Sequence, residues 1–243
     1  MLTTVKGIVV SETPFKESSK ILNIYTKEFG IIGVMSKGCK NMKSPLRVVS
    51  QRFSYAEFII YYNENKMSTL KEGTIINNFN NIKTDLLLIS YFTYITDLVT
   101  QVVKQNDSKE IYDIYINTIL KINEGLNPKV MTNILEIKLL DYLGCTINLK
   151  SCCKCGGTKN IVTIDPDEGG YICADCYTNE IIYDSKVQKM LQMYYMIDIA
   201  SISELKIKDY IIEDINKFLN QYYDRYTGVY IHSKKFLENN IDL

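Results

Sequence analysis

The chain has 243 residues, 46% of them hydrophobic and 23% charged, with a formal net charge of zero; this balance excludes global disorder and allows one large core or two smaller ones. No apolar run comes near the ~18 residues of a membrane span, and Lys6 interrupts "MLTTVKGIVV" where a signal peptide keeps an apolar stretch, so the expectation is a cytoplasmic protein with no membrane partner. Seven cysteines, an odd number without an export signal, point to a reducing compartment and to metal or redox chemistry rather than a disulfide framework.

In chain order, alternation and β-branched content predict strands near 4–12, 20–26 ("KILNIYT") and 31–36 ("IIGVMS"), the last two joined by a turn at "KEFG". A loop follows, "KGCKNMKSPLR", punctuated by Gly38 and Pro45. Two longer strands, "VVSQRFSYAEFIIYY" and "KMSTLKEGTIINNF", are expected on either side of a tight "NEN" turn. Five strands over residues 1–80 fit a small barrel of the oligonucleotide-binding type, although other small barrels or sandwiches give the same count.

After Asn81 the apolar period changes to three and four residues, as in "KTDLLLISYFTYITDLVTQVV", which predicts a helix. Ser108 caps "KEIYDIYINTILKINE" and Gly125 stops it; Asn127 followed by Pro128 starts "PKVMTNILEIKLLDYL", with Gly144 as its stop. Further helices are expected after Asp184 ("DSKVQKMLQMYYMI") and from Asp209 ("DYIIEDINKFLNQYYDRY"). Residues 81–243 thus read as an all-helical domain carrying one cysteine-bearing insert at about 150–182, and the whole chain as multidomain α+β.

The insert has the spacing Cys152-x2-Cys155, seventeen residues, then Cys173-x2-Cys176. Two such pairs supply a tetrahedron of thiolates for one structural zinc ion; Gly156 and Gly157 allow the tight turn of a metal knuckle, and Gly169 and Gly170 precede the second pair. Cys153 lies inside the first pair and reads as a bystander. A thioredoxin-like redox site would need a single pair between a strand and a helix, and a catalytic zinc site keeps an open position with an acid or base nearby. Four thiolates close the site, and the only histidine, His232, stands far away in "HSK". With no G-x-S-x-G, Walker or Rossmann sequence either, the chain reads as a non-enzyme. The free cysteines Cys39 and Cys145 are either nucleophiles or, as is commoner for such residues, small core fillers.

The N-terminal part carries the stronger functional signal. Residues 1–52 hold nine Lys/Arg against three Asp/Glu, and residues 29–56 contain no acidic side chain while carrying Lys37, Lys40, Lys43, Arg47 and Arg52. Such asymmetry points to a polyanionic partner, with the loop lysines following a phosphate backbone. Phe15, Tyr25, Phe53 and Tyr55 on neighbouring strands are candidates to stack on unpaired bases. The alternative is that the lysines are ordinary solvated surface and the aromatics are core.

Several stretches together carry a family resemblance: "GIVVSETPFKESSKILNIYTKEFG", "SKGCKNMKSPL", "CCKCGG" with "GGYICADC", and "RYTGVYIHSKKFL". In this order, over the whole length, the chain resembles the RecO family of bacterial recombination mediators. The resemblance implies an N-terminal oligonucleotide-binding barrel, a helical C-terminal domain and a zinc module. It further implies binding of single- and double-stranded DNA, annealing of complementary strands, and cooperation with RecR to load RecA onto DNA coated by single-strand-binding protein, in the cytoplasm at the nucleoid. By motif position it makes Lys37, Lys40, Lys43 and Arg47 DNA-contacting residues, with Lys20 and Arg52 as weaker candidates, and Cys152, Cys155, Cys173 and Cys176 zinc ligands. Asn41 and Met42 stand where the family's loop often carries a denser basic run, which implies weaker DNA affinity or a larger role for a partner. A zinc-bearing protein adaptor and an RNA-binding factor are the alternatives that share these features.

Overall fold

The computed structural model describes residues 1–64, 66–106 and 108–241. By compactness the chain divides into one unit formed by Met1–Ile89 with the start of the fourth helix, and another formed by Ser90–Asn106 with the chain from Ile114 onward.

In the first unit five strands, β1 (Leu2–Phe15), β2 (Ser19–Thr26), β3 (Gly30–Ser36), β4 (Tyr55–Tyr61) and β5 (Ser68–Asn77), form a barrel in the order β1-β2-β3-β5-β4. Antiparallel ladders join β1 to β2 and to β4, β2 to β3, and β4 to β5. The seam between β3 and β5 is thin, a parallel pairing of Val34 with Ser68 and Met35 with Thr69. Alternation along the strands sends Val5, Leu22, Ile24, Val34, Phe58, Ile60 and Leu70 into one apolar cluster. Each such side chain contributes about 1.5–3 kcal/mol by leaving water. Asn65 of the expected turn between β4 and β5 lies outside the described residues.

Two expectations for this unit need correction. The strand expected from Val48 begins only at Tyr55. Residues before it form a short helix, α1 (Leu46–Val49), followed by turns. Pro45 takes the position before the helix with a helical φ of −64°, and Val49 turns inward against β5. The second correction concerns the stacking candidates: Tyr25 and Phe53 are buried, Tyr25 edge-on to Tyr112 at 5.2 Å. Phe15 and Tyr55 are half-buried, and Tyr55 stacks over Phe79 at 6.3 Å.

The remaining elements are helical apart from the insert: α2 (Asn80–Lys83), α3 (Leu86–Gln105), α4 (Lys109–Asn123), α5 (Pro128–Tyr142), α6 (Ser185–Met196), α7 (Asp209–Tyr226) and α8 (His232–Ile241). The caps fall where the residue types place them. Asn127 accepts from the backbone N–H groups of Lys129 and Val130, Asp184 accepts from that of Lys186, and Gly125 and Gly144 follow their helices with φ of +99° and +72°. One composition reading is overturned by α3, whose 20 residues are long and apolar enough to cross a membrane. Its serine, threonines, tyrosines and lone aspartate break the apolar run without making it polar. Phe92, Ile95, Leu98, Val99 and Val102 on it are buried, and it serves as a core helix of the second unit.

Charge distribution and periodicity did not anticipate α8, whose polar "HSKKFLENNI" buries Leu237. The insert is also more regular than its loop-rich composition implies, because β6 (Ile161–Asp165) and β7 (Gly170–Cys173) pair as an antiparallel hairpin.

Candidate metal centre and nucleic-acid interface

The sulfur atoms of Cys152, Cys155, Cys173 and Cys176 all lie within 4.8 Å of one another, with Cys155 and Cys173 3.6 Å apart. Tetrahedral coordination with metal–sulfur bonds of about 2.3 Å places sulfurs about 3.8 Å apart, so the set fits one thiophilic ion with no position left for water. Two turns build it. Gly156 donates its N–H to the Cys152 carbonyl at 2.8 Å, and Cys176 and Tyr177 donate theirs to the Cys173 carbonyl at 3.1 and 2.9 Å. The sulfurs are themselves acceptors: Gly157 N–H reaches Cys155 Sγ at 3.4 Å and Cys173 N–H reaches Cys152 Sγ at 3.5 Å. Burial opposes ionisation of Cys152, but the N–H groups of Cys173, Cys155 and Lys154 outweigh it and hold the thiol down at about 6. Cys176, sharing hydrogen bonds with Cys155 and Cys173, is pushed up to about 12. Four thiolates repel one another at this spacing, and a cation among them removes the conflict.

Cys153 stays outside the cluster, its N–H given to the Tyr171 carbonyl at 2.8 Å. Lys154, between the first two ligands, reaches Glu180 at 2.5 Å and Glu168 at 3.6 Å, and its ammonium, with the Thr178 N–H, holds the Glu180 carboxyl down at about 2. A side chain at Gly170 would collide with the Asn148 backbone, which bridges to it there. The hairpin turn is gripped by α7: Gln221 donates to Asp167 Oδ2 at 2.9 Å, Tyr226 donates to the Asp167 carbonyl at 2.5 Å, and Arg225 lies 3.7 Å from the carboxylate. The centre is therefore tied to the helix behind it.

The basic loop leaves β3 at Ser36 and re-enters at Ser50, and the hydroxyls of these two buried serines hydrogen-bond at 2.8 Å. Between them the backbone folds on itself, Asn41 N–H to Gly38 O at 3.2 Å, Ser44 N–H to Asn41 O at 3.1 Å and Arg47 N–H to Ser44 O at 3.1 Å, and the buried Cys39 pins the middle inward. Val49 holds the far end. Its methyl groups sit over Gly73 of β5, where even a Cβ would come within 3.0 Å, and Ser54 donates to the Val48 carbonyl at 2.9 Å. The loop is a fixed rim, and α1 presents Arg47 from it.

The structure brings Lys37, Lys40, Lys43 and Arg47 onto this one rim. Lys37, Lys43 and Arg47 are exposed and have no carboxylate partner among the described residues. Lys40 is half-buried and donates its ammonium to the Lys16 carbonyl at 3.1 Å. The two outlying candidates are differently placed. Lys20 is taken by Glu12 at 2.8 Å, while Arg52 donates Nε–H to the Val10 carbonyl at 3.1 Å and lies 4.5 Å over the Phe53 ring. The sequence reading missed Gly73, whose only signal was a glycine inside a strand pattern.

The family model described as "Recombination protein O N terminal" matches residues 1–79, and "Recombination protein O C terminal" matches residues 83–235. The chain belongs to the RecO family. It is 32% identical over 236 residues to the DNA repair protein RecO of Listeria monocytogenes serotype 4b (strain CLIP80459), covering 96% of this chain and 92% of the relative. It is 30% identical over 242 residues to that of Halalkalibacterium halodurans, covering 98% and 95%, and 29% identical over 241 residues to that of Bacillus pumilus, covering 98% and 94%. Membership in RecO makes it a DNA-repair protein, with the barrel inside one matched region and the four-cysteine cluster inside the other.

Proposed function

We propose that this chain is a recombination mediator that binds single-stranded and double-stranded DNA, anneals complementary strands, and, with RecR, helps load RecA onto DNA coated by single-strand-binding protein. The observation that carries the reading is the clamped rim with Lys37, Lys43 and Arg47 exposed and without a carboxylate partner among the described residues, in a chain of a DNA-repair family. Its cations neutralise backbone phosphates and release counterions, and the fixed base of the loop spares most of the entropy of ordering it on the strand. Strands held at their backbones keep their base edges free to pair, which is what annealing requires.

The four thiolates hold one zinc ion, a closed centre that supplies folding free energy and no reactive water. The chain acts by binding and not as an enzyme, in the cytoplasm at the nucleoid, and the second unit meets protein partners.

The test is fluorescence anisotropy of a labelled single strand over a salt series, comparing the native chain with Lys37/Lys40/Lys43/Arg47→Glu. Four phosphate contacts give a log–log salt slope of about −3, at roughly −0.7 per contact. That slope, lost in the variant, supports the reading. Binding unchanged in the variant moves the DNA site off the rim, and no binding at low salt favours an adaptor whose DNA contact comes from a partner.

A further inference from the structure

The turn between β1 and β2 is bonded to the basic loop along its length. Lys40 N–H donates to the Ser18 carbonyl at 2.9 Å, Lys40 Nζ to the Lys16 carbonyl at 3.1 Å, and Gly38 N–H to Ser19 Oγ at 3.3 Å. Turn and loop therefore make one continuous rim. Lys16 takes a left-handed backbone (φ +53°), unfavourable for a residue with a Cβ, and its ammonium lies 5.5 Å over the ring of Phe15, which is half-buried at the end of β1. Glu17, also exposed, is the one acid on this turn. Two residues beyond Lys40 and next to Lys43 stands Met42, 85% exposed.

We propose that Phe15 and Lys16 extend the DNA site beyond the basic loop and make it select single strands, Phe15 stacking on an unpaired base while Lys16 contacts the adjoining phosphate. This rests on the DNA-binding reading above. An aromatic face beside a cation is what sequence-independent single-strand sites are made of, because every base offers a π-face and every nucleotide a phosphate. A duplex keeps its bases stacked on each other and offers Phe15 nothing, whereas the loop cations serve either form. The selectivity therefore belongs to the turn and the general affinity to the loop. Met42 supplies further apolar contact to a displaced base.

The experiment measures anisotropy of labelled oligo-dT and of a duplex of equal length, with the native chain and with Phe15→Ala, Phe15→Tyr and Lys16→Gln. Loss of one stacked base weakens single-strand binding about 5- to 150-fold. Phe15→Ala is expected to do this with an unchanged salt slope and less than a twofold effect on duplex, while Phe15→Tyr keeps the native affinity. Lys16→Gln is expected to lower the slope by about 0.7. Phe15→Ala weakening both DNA forms equally, or neither while the four-residue loop variant abolishes binding, overturns the proposal and leaves the loop site standing. Restored binding in Phe15→Leu, which packs but does not stack, also overturns it. A native chain that binds neither form overturns the DNA-binding reading and this extension with it.

Discussion

Glu136, on α5, is fully buried, accepts the Tyr94 hydroxyl on Oε1 at 2.5 Å, and has no partner for Oε2 among the described residues. Burial drives its carboxyl up from 4.5 to about 6, against the lowering effects of the Tyr94 hydrogen bond and of Lys234. The native state thus holds the proton more tightly than the unfolded chain. Between pH 4.5 and 6 it binds more protons, so stability falls as pH rises through that window and is level above it. The difference between the two values amounts to about 2 kcal/mol. Glu136→Gln removes the charge but places an amide N–H where Oε2 lacked a partner, at a cost of about 1 kcal/mol. At pH 7.5 the variant is expected to be more stable by about 1 kcal/mol, and at pH 4.5 less stable by a similar amount. Urea unfolding of both proteins at several pH values measures the difference. Loss of metal from protonated thiols at the acid end is common to both and cancels in the subtraction. A difference that does not change between pH 4.5 and 7.5 would show that Glu136 is not desolvated in the way its position implies.

Two further perturbations probe the metal centre and the rim. Cys176→Ser is expected to release the ion, seen as loss of one zinc per chain by elemental mass spectrometry, and to lower the melting temperature through the grip of α7 on the hairpin; a variant keeping one zinc at full stability would refute the four-cysteine assignment. Gly73→Val overfills the contact with Val49, costing about 1–3 kcal/mol and lifting α1. Single-strand affinity is then expected to drop several-fold at unchanged charge, and a variant that binds as the native chain does would show that the position of α1 is immaterial.

Much of this architecture is legible residue by residue. Period-two alternation reports strands because successive side chains take opposite faces, and it marks β2 and β3 almost to their ends. Asn127-Pro128 and Asp184 announce helices because their side chains serve orphan N–H groups within three residues. The paired C-x2-C spacing prescribes its cluster because a thiolate tetrahedron admits few chain geometries. All of these are local rules.

Other features depend on partners distant in sequence. Val48 and Val49 suit a strand by propensity, but Gly73 offers Val49 a seat on β5, and burial there decides for a helix. Lys20 and Lys43 are equivalent in composition, yet Glu12 across a strand pair takes one charge and no carboxylate among the described residues takes the other. Tyr25 and Phe15 are both aromatics on the barrel strands, and burial, with Tyr112 packed edge-on, removes Tyr25 from consideration as a base platform. Backbone preference and cysteine spacing act over a few residues, and they suffice for the kinds of elements, the four-cysteine cluster and the basic character of the loop. Which cations stay unpaired, which rings stay accessible, and that the loop is clamped into a rim were decided only by the tertiary structure, since each depends on side chains brought together when the barrel forms.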